Sequence, residues 1–197
     1  MEFDEIITAR HSIREYQNKE VKHEILCEIL DSAKQAPSSG NIQNWTFMIV
    51  NDKKKMSRLA KACLDQDWIT TAPVLIVVCY NDKSIKTLFP KKYVEFSLQN
   101  TTIASTYIML KAVTLGLGTC WIDIEKKEDV ANCLKLPNHI IPSHLITIGY
   151  PKGPYKRTSR NEISIVTYFE EYGKRTKSFS PFPLDKTIRK IKKKITR

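Results

Sequence analysis

The sequence predicts a central β-sheet covered by helices, and three observations carry that expectation. Val74-Leu75-Ile76-Val77-Val78-Cys79-Tyr80 is a continuous apolar run of strand length, the pattern of a central strand buried on both sides. From Val94 to Leu115 the chain runs without Gly or Pro and is apolar nearly all round, as a helix buried on most faces would be. Around these two stretches, amphipathic helical patterns alternate with short apolar runs bounded by turn residues.

The elements follow in order. Residues 2 to 9 read as a short helix, and Val21-Lys22-His23-Glu24 opens a stronger one with Val21, Ile25, Leu26, Ile29, Leu30 and Ala33 on one face. That helix stops before Pro37, because the residue preceding a proline is steered out of the helical region. A polar loop from Ala36 to Asn44 leads into the strand Trp45 to Val50. Its hydroxyls, amides and Gly fit plain turn chemistry or the lining of a polar ligand site, and composition does not separate the two. Asn51-Asp52 caps a helix through about Leu64, with Met56, Leu59, Ala60 and Cys63 inward and Lys53 to Lys55 read as a solvated face. Asn81 to Lys92 is a polar connection in which Pro90 forbids a continuing helix. The long helix, expected also to form part of a subunit interface, ends at Gly116-Leu117-Gly118, where glycine suits a left-handed cap. Thr119 to Asp123 is a strand, Glu125 to Leu134 an amphipathic helix, and His144 to Pro151 the fourth strand after a loop through Pro142. Ile163 to Tyr168 reads as an edge strand or extended arm.

Composition excludes several classes. The 197-residue chain has room for one well-buried domain. Its longest apolar run, nine residues, is far below the ~20 a membrane helix needs, so a soluble, cytoplasmic chain without a secretory signal is expected. Five cysteines, odd in number and without a C-x-x-C pair, fit free thiols in a reducing compartment. Four histidines show no metal-ligand spacing, so no metal is expected. The net charge of +11 is uneven: Lys174 to Arg197 holds ten Lys/Arg against one Asp, leaving 22 basic and 20 acidic residues before it. The basicity is therefore a tail, in which Ile188, Ile191 and Ile195 recur at helical spacing among lysines. Such an extension, set off as residues 174–197 from a domain of residues 1–173, suits weak contact with an anionic membrane surface or nucleic acid, or packing on a partner subunit.

Arg10-His11-Ser12-Ile13-Arg14 is the densest group of donors in the chain. Guanidiniums match phosphate bidentately and Ser adds a short donor, although a five-residue basic cluster is also what an ordinary solvated surface looks like. Gly116-Leu117-Gly118 is not a dinucleotide fingerprint: the third glycine is missing and the order is helix to strand. Ser38 and Ser39 have no His/Asp partner that the sequence suggests, which argues against a hydrolase.

Five segments in this order resemble the nitroreductase family, FMN-dependent oxidoreductases of the short single-domain type. They are Arg10-His11-Ser12-Ile13-Arg14, Ala36 to Trp45, Ala72-Pro73-Val74, Gly116 to Ile122, and Ile148-Gly149-Tyr150-Pro151. The resemblance spans residues 3 to 172. It implies an α+β, three-layer fold with a central mixed sheet flanked by helices, in an obligate homodimer with FMN at the subunit interface. It implies that Arg10 and Ser12, with His11 as an orienting donor, hold the phosphate and ribityl end, and that Arg14 lies near the pyrimidine edge. Pro37, Ser38, Ser39 and Asn41 belong to the loop a partner subunit lays against the ring, and Gln66 falls where the family has an amide near the flavin. Trp121, Ile122 and Asp123 match the backbone lining the ring, and Arg157 or Arg160 the late basic residue that returns to the phosphate.

Two departures from the family pattern stand out. Asn44 replaces a usual proline, which should alter loop stiffness more than chemistry, and Asp123 replaces a small residue, placing a carboxylate where it would disfavour reduced flavin unless its side chain turns away. The activity implied is ping-pong hydride transfer from NAD(P)H through FMN N5 to a nitroaromatic, quinone or enone, without a protein nucleophile or general base. The alternative is a flavin-binding module without turnover whose tail makes the contact that matters.

Overall fold

A computed structural model describes residues 1–155 and 158–174. They divide into two compact units, Arg10–Pro154 and a second built from Met1–Ala9 with the described residues from Tyr155 onward. The second unit holds α1 (Phe3–Ala9) and a 3-10 turn at Ile163–Ile165. That turn stands where a strand or arm was expected, its Val166 N–H closing on the Ile163 carbonyl at 3.2 Å.

The larger unit is an α+β sandwich around a four-stranded sheet. Its strands are β1 (Trp45–Val50), β2 (Val74–Asn81), β3 (Gly118–Asp123) and β4 (Ile140–Gly149), in the order β1-β2-β4-β3. All three ladders are antiparallel. The parallel component is one isolated bridge, Ser12 to Thr119, at the outer edge of β3.

The apolar run in β2 has the cause its sequence suggests. Leu75, Val77 and Cys79 point into one core with Met56 and Leu59 of α3 (Lys53–Lys61) and Val130 and Cys133 of α6 (Lys127–Leu134). Val74, Ile76 and Val78 point into the other, with Leu26, Ile29 and Ala33 of α2 (His23–Ala33) and Ala104, Ile108 and Ala112 of α5 (Tyr93–Thr114). Each face of the strand therefore buries its own set of side chains, and alternation vanishes. Asp52 caps α3 by accepting from Lys55 N at 2.7 Å, and Lys111 of α5 pairs with Glu28 of α2 at 2.6 Å.

Three expectations are corrected. The connection after β2 contains a short helix, α4 (Asp82–Lys86), because the Asn81 side chain accepts from Lys83 N and starts it. Strand β4 begins at Ile140 and runs through Pro142, which pairs with Cys79 where the register slips by one residue. Proline is tolerated there because it sits at a bulge and beyond the end of β3. Lys53 is exposed with its neighbours but does more than face solvent: its Nζ donates to the carbonyls of Thr70 and Ala72, both at 2.7 Å, and partial burial lowers its pKa.

Helix α5 buries one face and leaves bulky apolar side chains on another. Its buried residues are small or polar (Ser97, Asn100, Thr101, Ala104, Ser105, Ala112) with Ile108 among them, while Val94, Leu98 and Tyr107 are exposed. Small side chains let the helix axis approach the sheet closely, and the bulky ones point outward. Its end is as expected: Gly116 (φ +72°) turns the chain, with Leu117 N–H donating to Ala112 O and Gly116 N–H to Val113 O.

Candidate functional site

Residues Arg10 to Gln17 are pinned along the edge of the sheet. Ile13 N donates to Thr119 O at 2.9 Å, Gln17 N to Tyr150 O at 2.9 Å, and Lys152 N to Glu15 O at 3.0 Å. Buried Tyr16 locks the segment from beneath, its hydroxyl donating to Ile13 O and meeting Thr147 Oγ1, both at 2.7 Å. Burial pushes the Tyr16 phenol well above its ordinary pKa, so it stays a neutral strut. Ile13 is buried while Ser12 and Arg14 on either side of it are exposed, as an extended chain requires.

Three of the candidate side chains converge. The thiol of Cys120 on β3 is raised by burial, and that rise is moderated by Arg14, by a hydrogen bond from Ser12 and by Arg10. Two cations and a hydroxyl thus lie within electrostatic reach of Cys120 on the β3 edge. On the other face of the strand, Thr119 Oγ1 is buried with no hydrogen-bond partner among the described residues. Two guanidiniums and an exposed hydroxyl fit an anion carrying further hydroxyls, which is the chemistry of a ribityl phosphate. His11 is half-buried at the start of this segment.

The rest of the proposed ring-lining segment is held on β3. The indole of Trp121 stacks on buried His144 with ring centroids 3.4 Å apart and planes 13° from parallel. Its Nε1 donates to Asp123 Oδ1 at 2.9 Å, so the carboxylate is engaged by the indole of its own strand. Ile122 is buried on the opposite face. Past the Ser12 bridge the outer edge of β3 has no ladder partner among the described residues, leaving backbone groups available to a ligand.

Gln66 is committed locally: its Nε2 donates to Cys63 O at 2.9 Å and its Oε1 accepts from Trp68 Nε1 at 3.2 Å. Trp68 was not singled out by sequence, yet Arg14 lies over its ring at 5.7 Å. The contact joins residues 54 positions apart, and no local pattern announces it.

The loop from Pro37 to Asn41 forms a second group. Ser38 Oγ accepts from Gln43 N at 3.0 Å, and Asn41 Oδ1 accepts from Gln43 Nε2 at 3.0 Å. Ser39 donates to Asn100 Oδ1 through its N–H at 2.9 Å and its hydroxyl at 3.2 Å. Pro37 is exposed at the loop entrance. Asn44 corrects the expectation made for it: the amide is buried, accepts from Asn100 Nδ2 at 2.9 Å, and donates to Ser97 Oγ at 2.9 Å and Asn81 O at 3.2 Å. The residue in place of the usual proline is the hub that fastens the loop to α5, a chemical role as well as a mechanical one.

Arg160 belongs to the smaller unit, where its Nη1 donates to Thr158 Oγ1 at 2.9 Å. Arg157 and the residues of the basic extension from 175 onward lie outside the described residues.

An edge-pinned basic segment against a four-stranded antiparallel sheet, with the long helix behind it, defines the class to which this architecture belongs. The nitroreductase family profile matches residues 7–66 and 62–150. The chain belongs to the nitroreductase family. A Methanothermobacter thermautotrophicus relative, whose assigned name pairs NADH dehydrogenase with NAD(P)H nitroreductase, is 34% identical over 155 residues, covering 77% of this chain and 78% of that one. A Bacillus subtilis protein named FMN reductase [NAD(P)H] is 27% identical over 84% of this chain and 72% of its own length. The solved structure of an FMN-dependent nitroreductase from Clostridium difficile superposes with a TM-score of 0.72 at 28% identity, covering 85% of this chain and 98% of that one. No described helix is long and apolar enough to cross a membrane.

Proposed function

We propose that the chain is an FMN-dependent NAD(P)H oxidoreductase that reduces a small electrophilic acceptor, a nitroaromatic, quinone or enone, in a ping-pong cycle. The observation that carries this reading is the Arg10 to Arg14 segment pinned along the β3 edge by Ile13 N to Thr119 O at 2.9 Å, with Arg14, Ser12 and Arg10 within electrostatic reach of Cys120, in a chain whose relatives include an FMN reductase. Bound FMN would supply hydride exchange at N5, alternately with the nicotinamide and the acceptor. Arg10 and Ser12 bind its phosphate and ribityl end, with His11 alongside. Arg14 supplies positive charge at the pyrimidine edge. Trp121, Ile122 and Asp123 line the ring through backbone, and the indole keeps the Asp123 carboxylate occupied.

The second half of the pocket comes from a second copy of the chain. The loop of Pro37, Ser38, Ser39 and Asn41 is rigidly built but forms its own group of contacts, and Val94, Leu98 and Tyr107 of α5 are exposed apolar residues that suit a homodimer interface. The site domain then extends to about residue 173, with residues 174–197 as a basic extension. Five free cysteines fit the reducing cytoplasm.

The purified protein loaded with FMN is expected to be yellow and to bleach when NADH or NADPH is added without oxygen. A protein that neither carries nor takes up FMN overturns the proposal. Arg10→Ala is expected to weaken FMN binding roughly ten- to hundredfold, the worth of a charge-assisted contact, measured by quenching of flavin fluorescence on titrating apoprotein. Unchanged affinity would remove Arg10 from the phosphate site.

A further inference from the structure

Trp68 lies in the 3-10 turn Asp67–Thr71 between α3 and β2, its half-buried indole packed against the core formed by α3, α6 and the sheet. Its orientation is fixed from two sides. The indole N–H donates to Gln66 Oε1 at 3.2 Å, and Gln66 Nε2 in turn donates to Cys63 O at 2.9 Å, just past the end of α3. The turn that carries it is closed by Thr71 Oγ1, which donates to Trp68 O at 2.7 Å and reaches Arg14 O at 3.5 Å. Lys53 Nζ clamps the same turn through Thr70 O and Ala72 O.

Over the face of this fixed ring lies the guanidinium of Arg14, 5.7 Å from the centroid. None of the ion pairs among the described residues includes Arg14. The indole face is therefore the rigid surface against which an exposed, rotamer-rich side chain is ordered before any ligand arrives, which lowers the entropy lost on binding. Trp also offers a cation the best of the aromatic faces, and Arg is the cation more often found there.

We infer that Trp68 is a positioning residue: it holds the Arg14 guanidinium as the cation that favours reduced FMN, and so raises the cofactor's potential without touching it. The inference rests on the reading that FMN seats on the Arg10 to Arg14 segment.

The test compares wild type, Trp68→Leu, Arg14→Ala and the double variant, each loaded with FMN. Two quantities are read: the midpoint potential of the bound flavin against reference dyes, and the affinity of apoprotein for FMN. Trp68→Leu is expected to move the potential negative, in the same direction as Arg14→Ala, and to weaken FMN binding about two- to fivefold. In the Arg14→Ala background it should add almost nothing, since the group it positions has gone. Trp68→Phe keeps a ring with a weaker face and should give a smaller shift of the same sign; it carries the test if the leucine variant does not fold. A potential unmoved in folded, yellow variants overturns the inference. So does a shift that persists undiminished without Arg14, because Trp68 would then act by another route. Wild type that stays colourless overturns the flavin reading itself, and is recognised before any variant is made.

Discussion

Acidification below about pH 6.5 is expected to destabilise this chain more steeply than its His144→Gln variant. His144 is 1% exposed on β4, its ring nitrogens meeting Ser105 Oγ at 2.6 Å and Ser143 Oγ at 2.9 Å and its face covered by Trp121. Both hydroxyls can accept as well as donate, so a second proton would not orphan a partner. The penalty is desolvation, which lowers the pKa from 6.5 to about 3. Between those values the unfolded chain binds a proton that the native one refuses. The stability that goes with a neutral His144 is therefore complete above pH 6.5 and is lost as pH falls toward 3, at up to about 1.4 kcal/mol per pH unit. Over the interval from pH 6.5 to about 5 the difference amounts to roughly 2 kcal/mol.

His144→Gln is itself expected to be less stable at neutral pH by about 1–3 kcal/mol through lost packing and hydrogen bonding. The gap to wild type should then narrow on acidification. Urea unfolding at a series of pH values measures it directly. Parallel curves for the two proteins would show that the imidazole does not govern the acid limb. Because the same ring supports Trp121, acid loss of the native state is expected to take the Trp121 to Asp123 end of β3 with it.

The sandwich was legible where one side chain determines one environment. The Val74 to Tyr80 run declares two buried faces, and Gly116 declares the left-handed turn that ends α5. In α5 the apolar count does not say which face meets the sheet, because approach distance depends on which residues are small. Ser97, Ala104, Ser105 and Ala112 face the sheet because they are short, and Tyr107 and Leu98 face outward for want of room. The donors of the Arg10 to Arg14 segment were recognisable as a type, and the five-segment resemblance ordered them. Asn44 and Trp68 were not recognisable, because their roles exist only through contacts with Asn100 and Arg14 that span 56 and 54 positions of sequence. A buried amide and a half-buried indole each have an ordinary packing explanation until the fold brings their partners to them.

Gly118→Ala is expected to damage FMN binding out of proportion to its one added methyl group. A Cβ at that position would lie 2.6 Å from Ile13 Cγ1, 2.9 Å from Ile13 Cβ and 3.0 Å from Pro151 Cγ. Rotating the Ile13 side chain relieves the first contact but not the second, since Cβ moves only with the backbone. That backbone is bonded to Thr119 O, the residue next to the substitution. Relief must lift the Arg10 to Arg14 segment from the edge of β3, separating Arg10, Ser12 and Arg14 from the point where they converge. Overpacking of this kind costs about 1–3 kcal/mol, and a chain of this length loses about 2–4 °C in Tm for each kcal/mol. Gly116→Ala supplies the control. Its left-handed φ of +72° makes alanine unfavourable, but no atom lies within 4 Å of the new Cβ, so it should cost about 1 kcal/mol of stability and leave FMN affinity unchanged. If Gly118→Ala also binds FMN as tightly as wild type, the sheet edge does not hold the clamp. If it loses affinity while Gly116→Ala does not, the close approach of Ile13 to a residue without a side chain is what sets the site's geometry.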